Sequence, residues 1–158
     1  MTLGAIRTDA INFPLLLHVA GATLLVGALA LVAASLLRAA GGREPGGTLV
    51  LARFGFRALL IGAIPSYLLM RISAEWVASE QKLDELEEDP AWVGIGYITA
   101  DMGLLFLIVA TVLAGLTARK LRAEPGALGT GGRVAAALCV LLIVAYAVAI
   151  WAMTSKPA

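Results

Sequence analysis

The sequence predicts an all-α integral membrane protein, a four-helix bundle built from four transmembrane spans. Three observations carry that prediction. Of 158 residues, 60% are hydrophobic and 15% charged, whereas a soluble domain is about half apolar and about a quarter charged. The apolar residues gather into four runs, each near the ~20 residues that cross a hydrocarbon core of about 30 Å. Charged or Gly- and Pro-rich stretches separate the runs. This length supports one core, so residues 1–158 read as a single domain. A net charge of +1, with no basic stripe interleaved with aromatics, gives no sign of a nucleic-acid partner.

The first span is expected from about Phe13 to Leu37, with Pro14 suited to a first helical turn. Its apolar run is longer than the roughly 7–15 residues of a signal-peptide core, and Arg7 and Asp9 precede it instead of a basic cluster. A retained helix is therefore expected. The second span covers about Leu49 to Met70. The third begins at Asp89-Pro90, an N-cap followed by a proline at the first helical position, and continues to Ala118. The fourth runs from Val134 to Met153 and contains Cys139, the sole cysteine. One cysteine cannot close a disulfide within the chain, which excludes four-span thiol oxidoreductases; a buried thiol is expected.

Basic residues orient the bundle. Arg38, Arg43, Arg53 and Arg57 flank the first connection, and Arg119, Lys120, Arg122 and Arg133 flank the third. The opposite end holds only Arg7, Arg71, Lys82 and Lys156. The positive-inside rule then places the first and third connections in the cytoplasm and both termini outside the cell membrane. Trp76, Trp92 and Trp151 fall at the outer boundary, as an aromatic belt would. The middle connection, 71–89, has seven acids against two bases, a net −5. Trp76, Val77, Leu83 and Leu86 recur in it at roughly helical spacing, which predicts a short acidic amphipathic helix at the outer surface. Such a segment suits a solvated face or a docking surface for a membrane-protein partner.

Ionisable groups inside spans are costly and usually face the bundle interior. His18, the only histidine, lies near the outer end of the first span, and Asp101 lies in the third. Only Ala58 to Met70 separate Arg57 from Arg71, about 20 Å of helix, so one of these arginines must reach inward or snorkel. Antiparallel topology brings Ser66, Tyr67, Arg71, Tyr146 and Trp151 to the same outer half, and Tyr97 shares a helix face with Asp101. A polar pocket of His18, Tyr67, Arg71, Tyr97 and Asp101 is expected, with Arg71 and Asp101 as a buried ion pair. Gly21, Gly27, Gly55 and Gly62 read as packing glycines.

Leu17-His18-Val19-Ala20-Gly21, followed by Val26-Gly27, resembles the opening of several small membrane families. These are the membrane protoporphyrinogen oxidases, the copper-resistance D-type proteins, and bacterial integral membrane families without an assigned activity. The likeness covers about 12 residues of the first span plus the four-span layout. Resemblance to the oxidases implies haem at His18; their third span carries a lysine, where this chain has Asp101 and no lysine. Met70, Met102 or Tyr67 could supply a second axial ligand. Small multidrug exporters depend on a glutamate in the first span, which this chain lacks, and neither HExxH nor GxxxxGK[ST] occurs. The expected function is a haem b or quinone pocket serving electron transfer or haem handling. The alternative is a non-catalytic accessory or assembly subunit of a larger membrane complex, docking through the acidic segment 71–89; the partner expected in the bilayer is another membrane protein or a second copy of this chain.

Overall fold

A computed structural model describes residues 9–42, 45–81 and 91–155, which are almost entirely helical, with no strand among them. Helix α1 spans Asp9–Gly41, α2 Pro45–Ala58, α3 Ile64–Glu80, α4 Ala91–Ala123 and α5 Thr130–Ser155. Helices α2 and α3 are one continuous rod, joined by a π-helical turn at Leu59–Ala63. The chain therefore has four helices long and apolar enough to cross a membrane. Large apolar side chains such as Leu24, Leu31, Ile61, Leu105, Leu116 and Val144 cover the outside. In water such a surface would aggregate; it suits lipid, and the protein is a multi-pass membrane protein.

Every helix is longer than its apolar run suggests. Residues 71–80, expected in a separate acidic helix, are helical as the continuation of the second span. The Asp89-Pro90 cap lies outside the described residues, as does most of the acidic stretch. Gly131 and Gly132, read as part of a connection, fall within the first turn of α5.

The core follows helical period. On α1 it is Leu25, Leu29, Val32 and Leu36; on α4, Leu107, Ala110, Ala114 and Ala118. Alanine-rich faces let α4 and α5 approach closely, which matters in lipid, where close van der Waals contact drives helix association. Gly21 lies hard against α3: a Cβ there would stand 2.6 Å from the backbone nitrogen of Met70. Gly55 and Gly62 likewise face Ser35, Leu36 and Ala28 of α1. Gly27 has nothing within 4 Å of an added Cβ, so it is not a packing glycine.

Proline and the π-turn together decide which face of α3 turns inward. Pro65 lacks an N–H and would clash with the carbonyl four residues earlier in a regular α-helix. The wider turn at Leu59–Ala63 sits just before it. Buried positions run Thr48, Ala52, Gly55, Leu59, Ala63, Tyr67 and Met70. Steps of four through 55, 59, 63 and 67 exceed the 3.6-residue period and reflect the extra residue of a π-bulge. Without it Ser66 would turn inward in place of Tyr67.

The basic residues ring one end. Arg38, Arg53, Arg57, Arg119, Lys120, Arg122 and Arg133 are all exposed there. Measured from that ring, His18 is 20 residues above Arg38, Arg71 18 above Arg53, and Asp101 18 before Arg119. At the helical rise these are heights of about 27–30 Å, so all three sit near the opposite margin of the hydrocarbon core. The first three spans extend past that margin by two to three turns.

Candidate functional site

At the end opposite the basic ring, the bundle divides into two arms. Helix α1 packs on α3, α4 packs on α5, and the two arms are joined where α1 packs on α5, while α3 and α4 scarcely meet. A cleft of about 410 Å³ separates the arms, lined by all four spans. Its deeper walls are apolar, with Ala22, Met70, Val93, Gly96, Ala149 and Met153 among them. Its polar groups are His18, Arg71, Gln81, Trp92, Tyr97 and Thr99, with the hydroxyls of Thr23, Tyr146 and Thr154. Concave, mostly apolar space with a few placed polar groups is the usual form of a ligand site.

His18 is held in one orientation. Its Nδ1 lies 3.0 Å from the carbonyl oxygen of Met70. A carbonyl only accepts, so Nδ1–H is the donor, and the neutral ring keeps its lone pair on Nε2. Nε2 has no hydrogen-bond partner among the described residues. The close approach at Gly21 makes this bond possible, since it brings Met70 backbone against α1 one turn from His18. Ser73 Oγ donates to the same carbonyl at 3.1 Å.

Arg71 bridges the arms on the α3 side. It pairs with Glu75 one turn along its own helix. Across the gap it lies 3.6 Å from Asp101 Oδ1, and its guanidinium stacks 4.9 Å from the centre of the Tyr97 ring. Tyr97 hydroxyl in turn donates to Glu75 Oε2 at 3.4 Å. One cation between two carboxylates leaves this cluster at −1. Deeper, Tyr67 is 2% exposed and its hydroxyl donates to the Ala100 carbonyl at 3.1 Å, a further tie between α3 and α4.

The five residues expected to form the pocket are therefore neighbours in unequal roles. His18, Arg71 and Tyr97 line the cleft. Tyr67 lies buried beside it, with its hydroxyl already spent on Ala100. Asp101 is on the rim, its side chain 63% exposed, so the buried Arg71–Asp101 pair is corrected to an open one. Tyr97 and Asp101 do share a face, but it is the edge of the bundle and not its centre. Met102 is 49% exposed and is not part of the cleft wall, whereas Met70 lines it.

Sequence reasoning brought Tyr146 to the outer half but left it out of the pocket, where it forms the floor. Tyr146 of α5 lines the cleft, is 5% exposed, and its hydroxyl has no hydrogen-bond partner. It sits against Gly103, where any Cβ would collide with it, and Met153 fills the same position over Gly96. The seven-residue spacing of Gly96 and Gly103 on one helix was the available signal. Among the described residues no three of His, Cys, Asp and Glu gather as a metal site. Comparison with protein families, curated proteins and solved structures finds no match for this chain.

Proposed function

We propose that this protein binds a flat, redox-active ring in the cleft between its two arms, with His18 Nε2 as the contact atom. The observation that carries the reading is the His18 bond to Met70 O, which fixes the ring and leaves one lone pair free beside an apolar space. A quinone fits these surroundings best. Nε2 accepts a hydroxyl hydrogen from the reduced ring, and the apolar walls cover its faces. The role such a site serves is electron transfer within the membrane.

Haem b is the second reading. Donation of Nδ1–H to a carbonyl is the usual outer support of a metal-bound histidine, and Met70 and Met153 line the same cleft as candidates for the opposite ligand. Against it, Arg71 is the only basic side chain on the cleft wall among the described residues, and two carboxylates already hold it. Among those residues no other cation stands there for the ring's own acids.

Eight of the twelve Lys and Arg residues flank the first and third connections. That excess supports an orientation with the basic ring in the cytoplasm of a cell membrane and the cleft facing outward.

Equilibrium binding of a radiolabelled tail-less benzohydroquinone, kept reduced, to the detergent-purified protein tests the reading. Wild type binds saturably, and His18→Ala weakens binding by about tenfold, the equivalent of one hydrogen bond. No saturable binding contradicts it. A preparation with a Soret band that vanishes in His18→Ala replaces the quinone with haem.

A further inference from the structure

At the basic end, α2 runs antiparallel to α4 and packs on it. Phe56 of α2 covers Gly115 of α4: a Cβ on that glycine would stand 2.9 Å from the Phe56 ring. This contact fixes how the two helices face each other. Arg53 lies three residues before Phe56, and Arg119 four after Gly115. Because the helices run in opposite directions, both steps descend one turn toward the basic end. At about 100° per residue they also swing about 60° and about 40° from the contact, to the same side. That side is the outer one, since the buried Ala52, Gly55 and Leu59 of α2, and Ala114 and Ala118 of α4, lie on the other. Arg57 stands one turn above Arg53 on the same strip.

Three exposed arginines thus border the outer side of the groove between α2 and α4. None of them shares in the ion pairs formed among the described residues, which hold Arg71 at the other end. Glu124, the acid nearest to Arg119 in the sequence, lies past the end of α4. Above the arginines the same side is hydrocarbon, with Leu60, Val112 and Leu116 about half exposed. Arg57 reaches about 6 Å farther along the span than Arg53. Charge at that depth is costly without a counter-ion. Fixed positive charge beside a lipid-facing apolar strip suits one molecule that carries an anion and hydrocarbon together.

From this placement we infer that α2 and α4 hold an anionic phospholipid. Its phosphate sits on Arg53, Arg57 and Arg119, and an acyl chain runs along Leu60, Val112 and Leu116. Guanidinium suits phosphate because its paired N–H donors match two oxygens at once. The lipid lies on the outside of the bundle, so no helix has to part to admit it. The inference is independent of the ring-binding reading.

The test reads the lipid retained by the purified protein in native mass spectrometry, from micelles holding equal phosphatidylglycerol and phosphatidylcholine. Wild type keeps one phosphatidylglycerol at least about tenfold more often than phosphatidylcholine. Arg53→Gln combined with Arg119→Gln loses most of that preference, and Arg57→Gln alone loses part. Arg38→Gln combined with Arg133→Gln removes the same charge from α1 and α5 and keeps the preference. All five positions are exposed, so the variants should fold, and their melting temperatures are measured alongside. In wild type itself, phosphatidylglycerol raises the melting temperature more than phosphatidylcholine does. Equal retention of the two lipids overturns the inference. So does an equal loss in the two double variants, which would make the attraction one of overall charge. Displacement of phosphatidylglycerol by excess glycerol phosphate overturns it too, since the arginines would then take a free phosphate.

Discussion

Tyr146 carries the one buried side-chain oxygen left without a partner among the described residues. A buried hydroxyl that makes no hydrogen bond gives up its hydration for nothing, typically about 1–3 kcal/mol. Tyr146→Phe keeps the ring over Gly103 and removes that burden, so its melting temperature in detergent should equal or exceed that of wild type. A clear fall would mean that the hydroxyl has a partner in the membrane. Asp101 poses the opposite case. Its contact with Arg71 is long and exposed, and Glu75 holds the same guanidinium. Asp101→Asn should therefore cost no more than about 1 kcal/mol in detergent unfolding; a loss of several would restore a buried pair. The sequence placed both residues at the right height, since height is a count of residues. It could not place them around the helix axis. Tyr146 faces inward and Asp101 outward because of which neighbours α4 and α5 choose, and along the sequence both stand among mostly apolar residues.

At the scale of helices, two close contacts set the cleft. Gly21 against Met70 holds α1 and α3 together, and a larger side chain there must push them apart. Gly21→Val should destabilise by about 1–3 kcal/mol, as overpacking does, and weaken ring binding by moving Met70 O from His18. Gly27→Ala, with open space around it, should be neutral or slightly stabilising, because alanine favours helix by about 1 kcal/mol. Equal effects from the two would contradict the packing described. The π-turn is the second device. Deleting Gly62 would remove the extra residue, and the turn would become ordinary α-helix with α3 keeping its face relative to α2. Tyr67, Met70 and Arg71 should stay turned inward and ring binding should survive the deletion; its loss would show that the extra residue is not absorbed in this turn. The four spans were legible from hydropathy and the ends from Gly, Pro and charge. This extra residue was not, because Pro65 announces a disturbance without saying how the helix absorbs it. Nor was the length of the helices beyond the membrane, since past the apolar run a helix satisfies its backbone as well in water as in lipid.

Across the whole molecule, the basic ring and the cleft occupy opposite ends, some 27–30 Å apart by helical rise. If the positive-inside rule holds, a reporter fused after Ala158 is active outside the cell and silent within; the reverse result would turn the cleft toward the cytoplasm. The seam between the arms exists only at the cleft end. At the basic end α2 meets α4, and a continuous core runs from Leu36 to Leu121. In lipid, core and surface are alike apolar, so the sequence shows which segments are helices far better than which helices touch. The account depends most on one atom, His18 Nε2, and because the chain has a single histidine, that atom can be observed directly. With the protein labelled by ¹⁵N-histidine, the ring gives one pair of nitrogen resonances. The Nδ1–H tautomer is predicted, with an unprotonated Nε2 whose resonance shifts on saturation with the tail-less hydroquinone while Nδ1 stays nearly fixed. An Nε2–H tautomer, or an Nε2 resonance indifferent to the hydroquinone, would contradict it.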